Sequence, residues 1–414
     1  MEHSVWVKEK LKSLGRSLGF RYTPKEEVTG RLARLRTGLR EKSIEAALII
    51  QKMDGYYFSG TAQDSLLFIP LEGDPLLLVR REIERARVES PIEKVTHFFS
   101  LGELPDLIRE HWGRVPETLG LELDVLPTRD YFRFQELFPR ARLLDTAPII
   151  RDIRKIKSPF EIGLMKISGE IGERVYLEAR ENLREGMTEI EFAGLMEAIA
   201  KKYGHEGLLR TRSINYEAYT WHVLSGPNGG IVSQSDSPMG GLGLSPAFPV
   251  GASLRVMGAH EPILVDFGIC YHGYQVDQTR MFSIGKMKHK FLEAYRACRE
   301  IHDAVLAETR AGADCESLFQ KSVQLAQKLG YAENYLGPPG LQTRFVGHGI
   351  GLELGEPPFL AHGQSCPLEA GMTFALEPKI VFPGEGAVGL ENTVLVTEAG
   401  FEILTPMAQD VFEA

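Results

Sequence analysis

A segment of this chain recurs at a constant offset of 126 residues, and this repeat constrains the fold more than any other feature. Residues 184–204 begin Arg-Glu-Gly-Met-Thr and continue as a helical pattern to Lys-Tyr-Gly, while residues 310–330 begin Arg-Ala-Gly-Ala-Asp and continue to Lys-Leu-Gly. A long helical pattern precedes each copy and β-rich chain follows it, which predicts a domain of two related α/β halves. Two unrelated helices with common caps are the alternative, since Thr188 with Glu191 forms a capping-box pattern and Asp314 is an ordinary N-cap. The shared register favours duplication.

The chain before this repeat has a different pattern. A helical stretch at 31–42 is followed by apolar strands at 46–50, 66–69 and 76–79, and then by further helices and strands to residue 144. Such alternation predicts an α/β layer with a mixed sheet. Gly55 and Gly60, which flank Tyr-Tyr-Phe-Ser, fit turn chemistry better than a cofactor loop.

A chain of 414 residues is too long for a single small core. The domain boundary is predicted where the basic run 151–157 ends in Ser158 and Pro159, because proline at a first helical position starts a new helix, expected over 160–184. We therefore predict domains at 1–154 and 155–414.

Charge and hydropathy exclude several classes of protein. The net charge is −9 and basic residues are interspersed with acidic ones, so nucleic acid and anionic membrane surfaces are not expected partners. The chain opens without an apolar leader and contains no stretch of membrane-spanning length, which predicts a cytoplasmic protein. Its four cysteines lack CxxC spacing and are predicted to be reduced.

Potential metal ligands stand inside apolar or glycine-rich segments of the second domain, in the order Asp266, Asp277, His348, Glu377 and Glu391. Carboxylates are costly to bury unpaired, so a cationic partner is expected at these positions. The alternative is a set of unrelated surface acids with a histidine in the core.

Hairpin geometry predicts that these residues meet. If Tyr271 opposes Tyr274 across a His-Gly turn, Asp266 opposes Thr279 and Asp277 opposes Gly268, which makes the two aspartates diagonal neighbours on one face. The same count around the turn at 383–385 places Glu377 opposite Glu391. Like charges facing each other repel unless a cation lies between them.

His348 lies between Gly347 and Gly349, where missing side chains allow a ligand to approach closely. One nitrogen and four carboxylate donors suit manganese, iron(II), cobalt or zinc. Two such ions sharing a water would support metal-assisted hydrolysis.

These segments resemble the pita-bread metallopeptidases, which include proline-specific aminopeptidases, prolidases and methionine aminopeptidases, with creatinase as a metal-free relative. The motifs are Val-Asp-Phe-Gly at 265–268, Gly-Tyr-Gln-Val-Asp-Gln-Thr-Arg at 273–280, Gly-His-Gly-Ile-Gly-Leu at 347–352, Leu-Glu-Pro at 376–378 and Gly-Leu-Glu-Asn-Thr at 389–393. Residues 29–150 are similar to the creatinase-type amino-terminal domain.

The resemblance implies an α/β amino-terminal domain and an α+β pita-bread catalytic domain with duplicated α/β halves. It implies two divalent ions, manganese first, bound by the residues named above, and Glu377 as general base or proton shuttle. A homodimer is likewise implied.

Four positions depart from the proline-specific members. Ser233, Arg344 and Gly355 stand where such members have histidines, and Gly389 stands where an arginine is frequent. Glu356 retains the acidic half of a His-Glu pair. His222, Arg344 and Glu356 are the candidate substrate-binding residues. His222 is either a replacement for a missing histidine or a buried structural residue, and Arg344 either binds a carboxylate through its planar fork or forms a surface salt bridge. The Gly/Pro-rich segment 237–247 is either a plain connector or a loop that reshapes the pocket.

We predict a dinuclear metallopeptidase similar to Xaa-Pro aminopeptidases and prolidases, which cleaves small peptides with a water that bridges the two metal ions. Two alternatives remain at this point: a hydrolase of non-peptide amides or rings, similar to ectoine hydrolase, and a catalytically weak binding protein that keeps the fold.

Overall fold

The computed structural model describes residues 3–213, 221–233 and 237–414. It divides into two compact units, Met1–Arg154 and Lys155–Ala414.

The first unit contains a mixed sheet with strand order β4-β3-β2-β1-β5-β6. Strand β1 pairs antiparallel with β2 and parallel with β5, so the sheet mixes both kinds of ladder as the sequence predicts. The strands are β1 Ala46–Ile49, β2 Ser65–Pro70, β3 Leu76–Val79, β4 Lys94–His97, β5 Thr118–Leu121 and β6 Arg142–Asp145.

The helices of this unit supply apolar side chains to the sheet. Leu48 and Phe68 of the sheet share one buried cluster with Ile108 and Phe134 of the helices. The helices are α1 His3–Trp6, α2 Lys12–Ser17, α3 Lys25–Glu41, α4 Lys52–Ser59, α5 Ile83–Glu89, α6 Leu104–Trp112, α7 Thr128–Leu137 and α8 Ala147–Lys155, with a π-helix at Val7–Leu11 and a 3₁₀ turn at Leu101–Glu103.

The interpretation of Gly55 and Gly60 as turn residues is wrong for the first of them. Gly55 lies inside α4, while Gly60 ends that helix with a φ of 79°. Glycine adopts this left-handed conformation without the steric cost of a Cβ, and it frequently ends helices for that reason.

The second unit holds helices α9 Pro159–Arg180, α10 Glu189–Lys202, α11 His289–Leu306 and α12 Cys315–Lys328. Pro159 is the first residue of α9, and Ser158 with Glu161 forms a capping box before it. The predicted start is therefore correct to one residue, whereas the helix ends four residues before the predicted position.

The repeat is visible in the structure. Both ends of α12 lie 126 residues after the matching ends of α10. Thr188 caps α10 by accepting a hydrogen bond from the Glu191 amide, and Asp314 caps α12 by accepting one from the Ser317 amide. The common register thus belongs to two equivalent helices, as duplicated halves require.

Two sheets and a hairpin complete the second unit. The sheets have strand orders β17-β9-β8-β7 and β11-β10-β12-β15-β16, and β13 pairs with β14. The strands are β7 Trp221–Ser225, β8 Ile263–Tyr271, β9 Tyr274–Ser283, β10 Phe345–Ile350, β11 Leu354–Ala361, β12 Thr373–Leu376, β13 Lys379–Phe382, β14 Gly386–Gly389, β15 Asn392–Val396, β16 Phe401–Ile403 and β17 Phe412–Glu413, with a 3₁₀ turn at Gly226–Gly230.

The core of the second unit packs α11 and α12 against these strands. Cys298 and Ile301 of α11 and Phe319 of α12 share a buried cluster with Phe374 and Val394 of the sheet. On another side, the Tyr176 hydroxyl of α9 lies 3.2 Å from the Val265 carbonyl and 2.9 Å from the Gln278 carbonyl. Helix and strand positions are therefore fixed both by apolar burial and by buried hydrogen bonds.

The four cysteines are free thiols in the structure. In the ranges that the structure describes, no helix combines the length and the apolar character that crossing a membrane requires.

Candidate metal centre

The hairpin β8-β9 carries both aspartates in the predicted register. Tyr271 pairs with Tyr274, Asp266 with Thr279 and Gly268 with Asp277. The two carboxylates are consequently diagonal neighbours on one face of the ribbon.

The glutamates lie where a second hairpin is interrupted. The ladders β12-β15 and β13-β14 have one continuous register, in which Leu376 pairs with Asn392 and Lys379 with Gly389. Between them, the Glu377 amide donates to the Val346 carbonyl at 2.8 Å and the Glu391 amide to the Thr279 carbonyl at 3.2 Å. The interruption therefore ties Glu377 to β10 and Glu391 to β9.

His348 lies in the middle of β10, where it pairs with Ala375 of β12 and Phe359 of β11. Its Nε2 is 3.5 Å from Oε1 of Glu377. One donor atom each from Asp277, His348 and Glu391 lies within 4.8 Å of the others. Ligands of a single ion lie up to about 4.2 Å apart at bond lengths near 2.1 Å, so small side-chain adjustments would let these three bind one ion.

A lysine that sequence reasoning did not single out lies inside this cluster. Lys379, the first residue of β13, has only 1% of its side chain exposed. Its ammonium donates to Glu377 Oε2 at 2.6 Å, Asp266 Oδ2 at 3.0 Å and Glu391 Oε2 at 3.2 Å. The sequence did contain a signal, since Lys379 stands at the start of the apolar strand β13 and a buried charge there needs partners, as the glutamates do.

Gly389 makes room for this lysine. It is the direct cross-strand partner of Lys379, and a Cβ at this position would lie 2.5 Å from Lys379 Cγ. The resemblance implied an arginine at 389. A glycine there leaves space for the side chain of Lys379, the buried cation on the facing strand.

We expect Gly389→Ala to lower the free energy of unfolding by about 1–3 kcal/mol, because overpacking displaces the stem of Lys379. In a Lys379→Ala background the same change should cost clearly less, since the clashing Cγ is gone. Chemical denaturation of the four proteins of this cycle measures the coupling. Gly163→Ala, at a helical glycine with open space around its Cβ, is the control and should be neutral or stabilising. An equal cost of Gly389→Ala in both backgrounds would contradict the steric explanation.

Burial and charge act together on the ionisable groups. Burial, reinforced by the negative charge of Asp266, raises the pKa of Asp277, and burial with the charge of Asp277 raises that of Glu391. Burial also opposes the charged form of Lys379, but the carboxylates of Asp266, Glu377 and Glu391 together outweigh it and raise the pKa of this lysine. Burial opposes the charged form of Asp266 as well, and Lys379 together with His222 outweighs it and lowers the pKa of this aspartate. A cation beside Asp277 and Glu391 would stabilise their charged forms against burial and mutual repulsion.

Two further residues position Glu391. The Thr279 hydroxyl donates to Glu391 Oε2 at 2.7 Å, and the guanidinium of the fully buried Arg280 donates to the Glu391 carbonyl at 2.6 Å. Neither residue was a sequence candidate by itself, although both fall within the motif at 273–280.

The cluster opens into a cavity of about 640 Å³. His222 and Arg344 line it, and Arg344 is exposed. His222 pairs with Asp266 across β7-β8, and its Nδ1 is 3.8 Å from Asp266 Oδ2. From the Gly/Pro-rich segment, Ser237 also contributes to the lining.

The remaining candidate positions differ in their placement. Glu356 is buried and is not among the lining residues; its Oε1 lies 3.8 Å from Lys157 Nζ. Gly355 lines the cavity with a φ of 79°, and the Ser233 hydroxyl donates to the Pro249 carbonyl. Of the positions where histidines were expected, Arg344 alone brings a polar side chain to the cavity.

The same region matches a known family. Residues 163–398 match the model of metallopeptidase family M24. The chain belongs to this family. Residues 31–156 match the creatinase/prolidase N-terminal domain, so the predicted family is confirmed and the protein is a metallopeptidase.

Known proteins align with almost the whole length of this chain. An Xaa-Pro dipeptidase of Pyrococcus furiosus is 27% identical over 384 residues, which cover 92% of this chain and 99% of the relative. The X-Pro aminopeptidase structure from Thermotoga maritima has a TM-score of 0.78 at 26% identity and covers 92% of this chain and 99% of its own. The Xaa-Pro dipeptidase structure from Bacillus anthracis has a TM-score of 0.80 at 24% identity, with 94% and 100% covered. The predicted fold class, an α/β domain followed by a pita-bread domain, is confirmed.

Proposed function

We propose that this M24 metallopeptidase hydrolyses Xaa-Pro dipeptides and similar short peptides. One observation carries the proposal: the side chains of Asp277, His348 and Glu391 lie close together and line one cavity, which Glu377 also lines. Relatives named Xaa-Pro dipeptidase that align with nearly the whole chain support the substrate class.

In this proposal Asp277, His348 and Glu391 hold a divalent ion, with manganese as the native metal. Such an ion, when bound, polarises a carbonyl and lowers the pKa of a water. Carboxylate and imidazole donors without a thiolate are consistent with manganese, cobalt, zinc or iron.

Glu377 is the proposed proton acceptor. Its Oε2 is held by Lys379, whereas its Oε1 lies near His348 at the cavity. As water adds to the scissile carbonyl, Oε1 takes a proton and then delivers it to the departing nitrogen, so that the peptide bond breaks to a free acid and a free amine.

Arg344 is the proposed binding residue for the substrate carboxylate. A dipeptide ends in a carboxylate close to its scissile bond, and a guanidinium binds such a group with two parallel hydrogen bonds. The exposed Arg344 supplies this cation at the cavity lining, and His222 lines the same cavity beside Asp266. Glu356, buried and paired with Lys157, is assigned no substrate contact.

We expect Arg344→Met to raise KM for a dipeptide about 10-fold and to change kcat far less, because it removes a charged hydrogen bond made before and during reaction. Steady-state kinetics measures the split. Arg299→Met is the control: Arg299 lies 3.0 Å from Asp410 on an exposed surface, and its loss should leave both constants unchanged. A fall in kcat at constant KM would refute the binding role.

Substrate class is tested with an Xaa-Pro dipeptide, an Xaa-Pro-Yaa tripeptide and a proline-free dipeptide, each with manganese and with chelator. We expect cleavage of the Xaa-Pro dipeptide that chelator abolishes. Cleavage of the proline-free dipeptide alone would overturn the proline specificity. No cleavage of any of them would overturn the peptidase proposal in favour of another amide substrate.

The proposal also includes a cytoplasmic homodimer. Cell fractionation and light scattering of the purified protein test the two statements separately. Ectoine-type hydrolysis and a purely binding role are not favoured by the similarity to Xaa-Pro dipeptidases.

A further inference from the structure

The ammonium of Lys379 occupies space that a second divalent ion would need. An ion bound to Asp266 Oδ2 and Glu391 Oε2 would lie about 2.0–2.2 Å from both oxygens. Lys379 Nζ already lies 3.0 Å and 3.2 Å from these same two atoms. Ammonium and ion therefore compete for the same carboxylate oxygens.

We propose that Lys379 replaces one of the two ions expected in this centre, so that the chain binds a single divalent ion. The remaining ion is the one held by Asp277, His348 and Glu391. This inference rests on the proposed function, because it concerns the same metal centre.

The donor count of Lys379 fits this role. An ammonium has three N–H donors and no acceptor. Here each donor has a different carboxylate as partner, from Glu377, Asp266 and Glu391, at 2.6, 3.0 and 3.2 Å. The lysine is saturated in place, without a donor left over for water.

Charge balance supports the same conclusion. Asp266, Asp277, Glu377 and Glu391 together bring four acidic groups to the cluster, and Lys379 adds one positive charge among them. One divalent ion beside Asp277 would neutralise most of the negative charge that is left. A second dication next to the ammonium would repel it inside a buried cluster, where charges are screened less than in water.

The position is built into the fold rather than reached from the surface. Lys379 begins β13, its side chain is 1% exposed, and its partner Gly389 leaves room for its stem. The Thr279 hydroxyl donates to the same Glu391 Oε2 that Lys379 contacts, which fixes that oxygen from a second direction.

Lys379 would act as a positioning residue. It holds Asp266, which also lies beside His222, and it holds Glu377 by Oε2 so that Oε1 stays toward the cavity. Because Lys379 is part of the chain, its positive charge cannot dissociate from the centre as a bound ion can. The protein should thus require only the ion at Asp277, His348 and Glu391.

The experiment counts manganese in the full-length protein. Metal-free protein is titrated with Mn²⁺, and bound metal per chain is measured by calorimetry and by elemental analysis after gel filtration. Electron paramagnetic resonance distinguishes an isolated ion from a spin-coupled pair. The proteins are wild type, Lys379→Met, which keeps a straight side chain without its charge, and Lys290→Met as a matched control at an exposed lysine paired with Glu385.

We expect one equivalent with the spectrum of an isolated ion for wild type and for Lys290→Met, and a second equivalent with spin coupling for Lys379→Met. Two equivalents in wild type, or none, would overturn the inference. So would a Lys379→Met protein that folds but still binds one. If Lys379→Met does not fold, Lys379→Gln replaces it under the same criteria, and the wild-type count remains a test by itself.

The outcome is independent of the substrate. One equivalent in wild type without peptide cleavage would refute the proposed function and leave the single-ion centre standing. Two equivalents with cleavage of an Xaa-Pro dipeptide would do the reverse.

Discussion

Replacing Glu377 by glutamine is expected to lower kcat for an Xaa-Pro dipeptide by about 10³-fold while leaving one equivalent of bound metal. The amide keeps the size of the side chain but cannot accept the proton that water loses, and general base catalysis is worth about 10²–10⁴-fold. Metal should remain because Asp277, His348 and Glu391 form a ligand group without Glu377. Steady-state kinetics together with metal analysis checks both halves of the expectation.

Glu385→Gln provides the matched control for Glu377→Gln. Glu385 lies in the turn of the same hairpin, where it is exposed and paired with Lys290. The kcat of Glu385→Gln should therefore equal that of the wild type. Unchanged activity of Glu377→Gln would remove the proton-transfer role. Loss of both activity and metal would instead assign Glu377 to the metal ligands.

Local patterns predicted much of the centre because strand pairing has period two. The register of β8-β9 follows from placing a turn at His272 and Gly273, and it brings Asp266 and Asp277 to one face. The turn at Pro383 gave the register around Glu377 and Glu391 in the same way, since the ladders on both sides of their position keep it. The residues of the two turns are therefore enough to predict both strand registers.

What the patterns did not predict depends on contacts between distant segments. The long hairpin is interrupted at Pro378, where Glu377 and Glu391 bond to β10 and β9, and no local spacing reveals which strands will lie there. Lys379 was overlooked for a related reason: the same count pairs it with Gly389, but no local spacing shows that its ammonium reaches Asp266 of β8. Glu356 was misleading because its neighbour Gly355 lines the cavity while its own side chain turns to Lys157.

The free energy of unfolding should fall by about 4 kcal/mol in Arg280→Met, because several buried oxygens lose a charged hydrogen-bond donor. Each unsatisfied group costs about 1–3 kcal/mol, and the costs of neighbouring groups do not add fully. Arg280 is fully buried in β9. Its guanidinium donates to the carbonyls of Thr279, Glu391, Thr405, Met407 and Ala408 and to the side-chain oxygen of Asn392. Chemical denaturation measures the change.

Arg280 affects both stability and function, because it ties the chain at 405–408 and the start of β15 to β9, the strand that carries Asp277. Its loss should therefore also weaken manganese binding, through a less fixed Glu391, in protein that is still folded. Arg299→Met is the control, as its exposed pair with Asp410 is worth less than about 1 kcal/mol. Should Arg280→Met fail to fold, Arg280→Lys tests the same point: three donors on a shorter, non-planar group cannot reach all these oxygens, so its stability must fall below that of Arg299→Met. Equal denaturation midpoints for Arg280→Lys and Arg299→Met would show that the buried guanidinium of Arg280 does not stabilise the metal centre.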